Sequence, residues 1–146
     1  MQNAALNRFL EAQNGFRYGS SYEDALAEIR RGRKITHWIW YVFPQLRGLG
    51  RSEYSYFFGL ENKAEAEAYL AHEILGARLK EITAALLDLP ETNILKIVSG
   101  VDAVKLRSCM TLFAQMENAP EIFERVLEKY FGGKKDEKTL SILNER

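Results

Sequence analysis

The segment HWIWYVFPQLRGLGRS, from His37 to Ser52, combines side chains that together could bind a small ligand. Trp38 and Trp40 offer flat surfaces on which a planar group such as a nucleobase can stack. Arg47 and Arg51 present forked donors that suit a phosphate or a carboxylate. The segment therefore predicts a site that combines stacking with anion binding.

The small residues of the same segment extend this prediction. Gly48 and Gly50 allow a positive φ and a close approach of backbone amides to an anion. Ser52 can cap a helix beginning at Glu53, which would place a positive helix end beside the loop. His37 is the candidate catalytic residue, because histidine changes its charge near neutral pH and can transfer protons.

A second segment, KLRSCMTLF, supplies candidates for an opposite wall of the site. Lys105, Arg107 and Ser108 combine cations with a small hydroxyl, whereas an ordinary exposed helix face alternates acidic with basic residues. A hydroxyl-bearing contact between helices is the alternative for this segment. For the first segment the alternative is that its aromatic residues fill the core, its glycines make a turn and its arginines are solvated.

Other chemistries leave no recognisable pattern. The sequence has neither a GxxxxGK[ST] phosphate loop nor a GxGxxG motif after a strand. His37, His72 and Cys109 are far apart and share no metal-binding motif, so we predict no metal and no cofactor. The position of Cys109 groups it with Leu106 and Phe113 on one helix face, which predicts a buried structural thiol. Whether the protein is an enzyme stays open.

The composition limits the class of protein and its possible partners. The 146 residues suit one domain, and 47% hydrophobic with 27% charged residues is typical of a globular protein. Twenty basic residues balance twenty acidic ones, which argues against a nucleic-acid partner despite a basic cluster at Arg30, Arg31, Arg33 and Lys34. The single cysteine fits a reducing compartment, which predicts a cytoplasmic protein. No apolar run approaches the roughly 18 residues needed to span a bilayer, so we predict no membrane partner.

The sequence predicts helices that would position the candidate site residues. Asn3 is the predicted cap of a first helix that ends near Gly15, and Ser20 with Glu23 forms a capping-box pattern for a second. Gly32 is the predicted end of that second helix.

The second half of the chain continues the helical pattern. The run from Asn62 to Pro90 reads as one broken helix or two consecutive ones. Asp102 is the predicted cap of the next helix, Pro120 precedes another that ends at Gly132, and a short helix spans residues 139–143. Two apolar runs, 38–43 and 93–98, are candidate strands. We therefore predict a compact all-α fold, with residues 1–146 as a single domain of about six to eight helices and a possible small β element.

Five blocks carry a resemblance to a known family: RFLEAQ, SYEDALAEIRRGRKITHWIWYVFPQLRGLGRS, AYLAHEILGARL, KLRSCMTLF and DEKTL. In this order they resemble the bacterial domain-of-unknown-function 1810 family, whose members are sometimes labelled calpastatin-like, a name that this sequence does not support. The resemblance implies an α-helical cytoplasmic protein without an established activity, so it supplies no catalytic residue. Cys109 departs from the family pattern, where another small residue is expected.

Two functional hypotheses follow from the residues. The first is a small-molecule-binding protein or enzyme that takes a nucleotide-like or phosphorylated ligand in an aromatic and basic cleft. The second is a non-enzymatic module whose aromatic and basic patch docks a protein partner, since Trp, Tyr and Arg are enriched at interface hot spots. The sequence carries no prediction of oligomeric state.

Overall fold

The computed structural model describes residues 4–146, and α-helices form most of this part of the chain. Nine α-helices lie within it: α1 (Asn7–Gln13), α2 (Tyr22–Arg30), α3 (Ile39–Val42), α4 (Glu53–Phe57), α5 (Lys63–Ala71), α6 (Leu75–Asp88), α7 (Gly100–Ala114), α8 (Ile122–Phe131) and α9 (Glu137–Glu145). Short 3-10 helices span Ala4–Leu6 and Ile94–Lys96. The all-α prediction is confirmed. The helices outnumber the expected six to eight because two very short ones, α3 and α4, form in and just after the aromatic segment.

The longest helix, α7, lies at the centre of the packing. It contacts α3, α5, α8 and α9, while α6 packs against α2, α5 and α8. Buried aromatic rings connect the helices, with centroid distances of 5.1 Å for Phe9–Tyr69, 5.6 Å for Tyr69–Phe113 and 5.8 Å for Phe113–Phe123. Helices α1, α5, α7 and α8 therefore share one apolar core.

Several predicted helix ends are confirmed. Gly32, just after α2, has a φ of +88°, and Gly132 ends α8 with a φ of +63°. The run from Asn62 forms two consecutive helices, α5 and α6, and the Asn62 side chain accepts a hydrogen bond from the Glu65 amide. These ends follow from local chemistry, since glycine adopts a left-handed backbone without strain and an asparagine side chain can bond a free amide.

Two predicted caps are wrong, and a third lies outside the described residues. Ser21, not Ser20, forms a capping box with Asp24, because the Ser20 hydroxyl donates to Thr36 Oγ1 at 2.6 Å instead. Ser99 caps α7, whose first turn includes Asp102. The predicted cap Asn3 is not among the described residues.

The two candidate strands do not form. The run 38–43 contains α3, and the run 93–98 contains the 3-10 helix Ile94–Lys96. Among residues 4–146 neither run has a neighbouring strand with which to pair, and helical turns bury most of their apolar side chains, with Leu95 left exposed. The structure has instead an isolated parallel bridge between Leu46 and Leu60.

No helix among residues 4–146 has both the length and the apolarity that crossing a bilayer requires.

Candidate functional site

The aromatic segment divides between the core and a crevice. Trp38 is fully buried, and its indole Nε1 donates to Glu28 Oε1 at 2.9 Å. Tyr41 and Phe43 are also buried. Trp40 is the tryptophan that remains partly exposed. Trp38 therefore belongs to the core, and stacking on a ligand would fall to Trp40.

Glu28 fixes the loop that leads into α3. Its carboxylate accepts hydrogen bonds from the amides of Ile35 at 2.7 Å and Thr36 at 3.0 Å, from Thr36 Oγ1 and from the Trp38 indole. Burial raises the pKa of Glu28, but the hydrogen bonds from these three residues outweigh burial and lower it to about 2. Lys34 Nζ pairs with Asp102 Oδ2 at 2.8 Å, which ties the same loop to α7. The loop therefore has a defined position against the core.

A narrow crevice opens where α3, the chain after Pro44, α4 and α7 meet. The space between its walls is too narrow to hold a water molecule. Three of its walls are aromatic rings, and the rest are polar groups. We call this feature the crevice, and its lining side chains are Trp40, Phe43, Gln45, Ser55, Phe58 and Lys105.

Three polar groups of the crevice have no partner. Trp40 Nε1 is buried and makes no hydrogen bond to any described residue. Gln45 is only 7% exposed, and its side-chain amide has no hydrogen bond within residues 4–146. Lys105 is half-buried and forms no ion pair with any described residue. Because buried polar groups are almost always hydrogen-bonded, the unsatisfied indole N–H of Trp40, with the unpaired side chains of Gln45 and Lys105 beside it, marks a candidate binding site.

The loop before α4 closes one side of the crevice. A Cβ atom at Gly50 would lie 2.2 Å from Ser55 Oγ and 3.5 Å from Gln45 Nε2, so only glycine permits this approach. Ser52 caps α4, as the sequence predicts: its Oγ accepts from the Ser55 amide at 3.0 Å and donates to Ser55 Oγ at 3.1 Å. Gly50 and Ser52 thus shape the crevice without lining it.

Aromatic rings continue outward from the crevice. The Trp40 ring packs edge-on against Tyr54 with centroids 5.0 Å apart, and Tyr54 packs against Tyr18 at 5.6 Å. Tyr54 and Phe57 are 42% and 43% exposed. We call Tyr18, Tyr54 and Phe57 the aromatic rim. Neither this rim nor Gln45 is among the residues predicted from the sequence, although the YSYFF run directly after the Ser52 cap is a visible signal.

Arg47 and Gly48 lie outside the crevice. The Arg47 guanidinium pairs with Glu61 at 2.7 Å, donates to the Tyr56 carbonyl at 2.8 Å and lies 4.3 Å from the Tyr56 ring centroid. Gly48 has a φ of +108°, and a Cβ there would lie 3.1 Å from the Arg146 guanidinium. Arg51, by contrast, is exposed and has no partner among the described residues.

Arg107 and Ser108 hold the C-terminal segment. Arg107 donates to the carbonyls of Lys134 at 2.8 Å and Lys135 at 2.7 Å. The Ser108 hydroxyl contacts the Val104 carbonyl at 3.1 Å and Asp136 Oδ2 at 3.0 Å. This arrangement corresponds to the alternative of a contact between helices. Of the three candidates for the opposite wall, Lys105 lines the crevice.

The remaining candidates for chemistry lie apart from one another. His37 is exposed just before α3, and its imidazole contacts no described polar group. Cys109 is fully buried, and burial raises the pKa of its thiol, which confirms the predicted structural role. Among residues 4–146 no three His, Cys, Asp or Glu side chains cluster in a way that could hold a metal ion.

Helical topology and the aromatic, polar crevice define an all-α protein with a small candidate ligand site, and comparisons with known proteins identify its family. The sequence profile of a family described as a protein of unknown function, DUF1810, matches residues 3–143, so the chain belongs to this family. It is also similar to the conserved hypothetical protein Rv1873 from Mycobacterium tuberculosis. The comparison with the crystal structure of that protein gives a TM-score of 0.90 and 42% sequence identity, and it covers 95% of this chain and 96% of the other. A comparison with curated proteins found no match.

Proposed function

We propose that the protein binds a small nucleotide-like or phosphorylated ligand at the crevice. The observation that carries this proposal is the convergence of three unpartnered polar groups, on Trp40, Gln45 and Lys105, within aromatic walls. Leaving the buried Trp40 Nε1 unsatisfied costs free energy, about 1–3 kcal/mol for such a donor. A ligand that bonds all three recovers that cost on binding.

The donors define what the ligand must offer. The Trp40 indole supplies one N–H, the Gln45 amide supplies two, and the Lys105 ammonium supplies three with a positive charge. Gln45 Oε1 is the acceptor in this set. The site therefore favours a ligand rich in acceptors, and the unpaired charge of Lys105 favours an anionic one such as a phosphate or a carboxylate.

The size of the crevice limits how much of the ligand enters. Its walls leave no room for a water molecule, whereas pockets that enclose a whole small molecule hold roughly 300–1,000 Å³. We expect the rings of the crevice to separate to admit one group of the ligand, and the rest would extend over the aromatic rim, where Tyr54 offers an exposed ring for stacking. Arg51, exposed and unpaired on the loop before α4, is our candidate for a second anion contact. His37 remains our candidate for proton transfer, and we expect this chemistry in the cytoplasm.

Ligand binding can be tested by thermal shift followed by calorimetry, with nucleotides, ADP-ribose and phosphorylated sugars. We expect at least one of them to raise the melting temperature of the wild-type protein. Lys105→Met and Gln45→Leu should then weaken its binding by about tenfold or more, since each removes a hydrogen bond to a desolvated group. Trp40→Phe keeps a ring and removes the N–H, so it should weaken binding without abolishing the stacking contribution.

Lys80→Met is the matched control, because Lys80 is exposed on α6 and has no partner among the described residues. This variant should bind as the wild type does. If no ligand of the panel binds, or if Lys105→Met and Gln45→Leu bind as tightly as the wild type, the crevice is not a ligand site. The docking-module hypothesis then becomes the better account of the aromatic segment.

A further inference from the structure

A second surface, which uses no residue of the crevice, exposes aliphatic side chains to solvent. Ile35, Leu95, Val101 and Val104 are each between 62% and 68% exposed, whereas the core of the protein buries most other residues of these types. We call these four side chains the aliphatic patch. Contiguous exposed apolar side chains of this kind mark interaction sites more often than isolated ones do.

Specific contacts hold the segments of the aliphatic patch together. The Lys34 amide donates to the Ile97 carbonyl at 2.7 Å, which joins the loop before α3 to the segment before α7. Lys34 Nζ pairs with Asp102 in the first turn of α7. Ile35 follows Lys34 directly, and Val101 precedes Asp102. These contacts bring the loop that carries Ile35 beside the start of α7 and the segment that carries Leu95, although the three are distant in sequence.

A depression of about 550 Å³ lies along this surface. Leu95 and Val98 supply apolar lining, while Arg33 and Lys96 supply charge. Neither Arg33 nor Lys96 forms an ion pair with a described residue. Asp102 is already neutralised by Lys34, and Glu91 lies within electrostatic reach of Lys96, so the positive charge that no described acidic group offsets lies at Arg33.

The helix that borders the depression is apolar on two sides. One side of α7 buries Leu106, Met110 and Phe113 in the core. Its outer side carries Val101 and Val104, which are spaced by three residues and so lie one above the other on the helix. Among residues 4–146, nothing covers this outer side.

We propose that the aliphatic patch and its depression bind an acidic segment of a partner protein. Apolar side chains of that segment would cover Leu95 and Val101, and its Asp or Glu residues would pair with Arg33 and Lys96. Charge complementarity specifies an acidic partner, because the unpaired charges of the depression are positive. The apolar area supplies the remaining attraction, since burying it on binding removes it from water.

A protein segment fits these features better than an anionic membrane does. Basic clusters that bind membranes carry about four to eight Lys or Arg residues, whereas two unpaired cations line this depression. Membrane-bound faces are also rich in Trp, Phe and Leu, and the aliphatic patch has no aromatic member. A concave surface suits an inserted chain segment.

Selection from a random peptide library displayed on phage tests this proposal directly. We expect the wild-type protein to enrich peptides in which Asp or Glu alternate with apolar residues. The strongest peptide, synthesised with a fluorescent label, should lose about tenfold or more in affinity for the Arg33→Glu/Lys96→Glu double variant, because attraction becomes repulsion. Val101→Ser should also weaken it, since it removes apolar contact while leaving the charges unchanged.

Lys63→Glu/Lys80→Glu is the matched control, because it changes the net charge equally at exposed positions on α5 and α6. Its affinity for the peptide should equal that of the wild type, and circular dichroism should show that every variant is folded. A library without enriched acidic peptides, or a peptide that binds the double variant as well as the wild type, overturns the proposal. A membrane result would also overturn the proposal. In that case no peptide is enriched, the wild-type protein binds phosphatidylserine vesicles, and both the double variant and Val101→Ser lose this binding.

Discussion

Two buried polar side chains show how the same kind of residue takes opposite roles. The Glu28 carboxylate accepts four hydrogen bonds, so its burial is fully compensated and it serves the fold. The Gln45 side chain is 7% exposed, and its amide has no hydrogen bond within the described chain. A satisfied buried group rigidifies a structure, whereas an unsatisfied one is retained at a cost. This difference identifies Glu28 as structural and Gln45 as a candidate for ligand contact.

Glu28→Gln should make the stability of the protein less dependent on pH. The folded-state pKa of Glu28, about 2, lies below its ordinary value of 4.5, so its ionised form stabilises the fold above that value. This contribution, roughly 2 kcal/mol at neutral pH once solvent screening is included, is lost as the pH falls from about 5 towards 2. Urea unfolding should therefore show a larger deficit for Glu28→Gln near neutral pH than in acid.

Glu23→Gln is the control for this measurement, because Glu23 is exposed on the same helix and has no hydrogen bond. It should match the wild type at both pH values. A deficit of Glu28→Gln that stays the same at neutral and acidic pH would show that the Glu28 charge does not stabilise the fold.

At the scale of elements, the polar side of α7 serves the attachment of α9. Asp136 caps α9 through the Thr139 amide at 3.2 Å and accepts from the Ser108 hydroxyl at 3.0 Å. The Asp136 amide donates to Thr111 Oγ1 at 2.9 Å. The hydroxyls of α7 that resemble the wall of a polar cleft in sequence thus bind the start of the last helix.

Asp136→Ala should loosen α9 more than it affects the rest of the protein. It removes the helix cap and the partner of Ser108, and such losses cost about 1–2 kcal/mol together in comparable sites. Hydrogen exchange should then accelerate across residues 137–145, with smaller changes in α5 and α8. Glu137→Ala, at the exposed next position, should leave the exchange unchanged. Equal exchange in Asp136→Ala and the wild type would refute this attachment.

At the scale of the whole molecule, Phe113 joins helices that are distant in sequence. Its ring lies 5.6 Å from that of Tyr69 on α5 and 5.8 Å from that of Phe123 on α8. Helix α7 also contacts α3, which follows directly on Trp38. Because these elements share one core, we expect them to unfold together.

Phe113→Ala should destabilise the entire fold by about 3–5 kcal/mol, the usual cost of a large cavity in a core. Circular dichroism and tryptophan fluorescence should report the same lowered midpoint in a denaturant titration, since Trp38 lies in the same core. Val104→Ala on the exposed side of α7 should change stability by no more than roughly 0.5 kcal/mol. Midpoints that differ between the two probes would contradict a single cooperative core.

Local chemistry explains which parts of the fold the sequence predicts correctly. Gly32 and Gly132 end their helices because few other residues accept a positive φ. The choice between Ser20 and Ser21 as a cap depends instead on Thr36, which is distant in sequence and takes the Ser20 hydroxyl. In the same way, α7 begins three residues earlier than predicted, because Ser99 supplies its cap and leaves Asp102 for Lys34.

The sequence by itself determined the helical class, several helix ends and the segment in which a site should be sought, because these depend on periodicity and on residues close along the chain. Only the tertiary structure decided which side chains of that segment reach one another. It placed Trp38 in the core with Glu28, engaged Arg47 with Glu61, and brought Trp40 and Gln45 to Lys105. Partners such as these are 10, 14 and about 60 residues apart, and only packing brings them into contact.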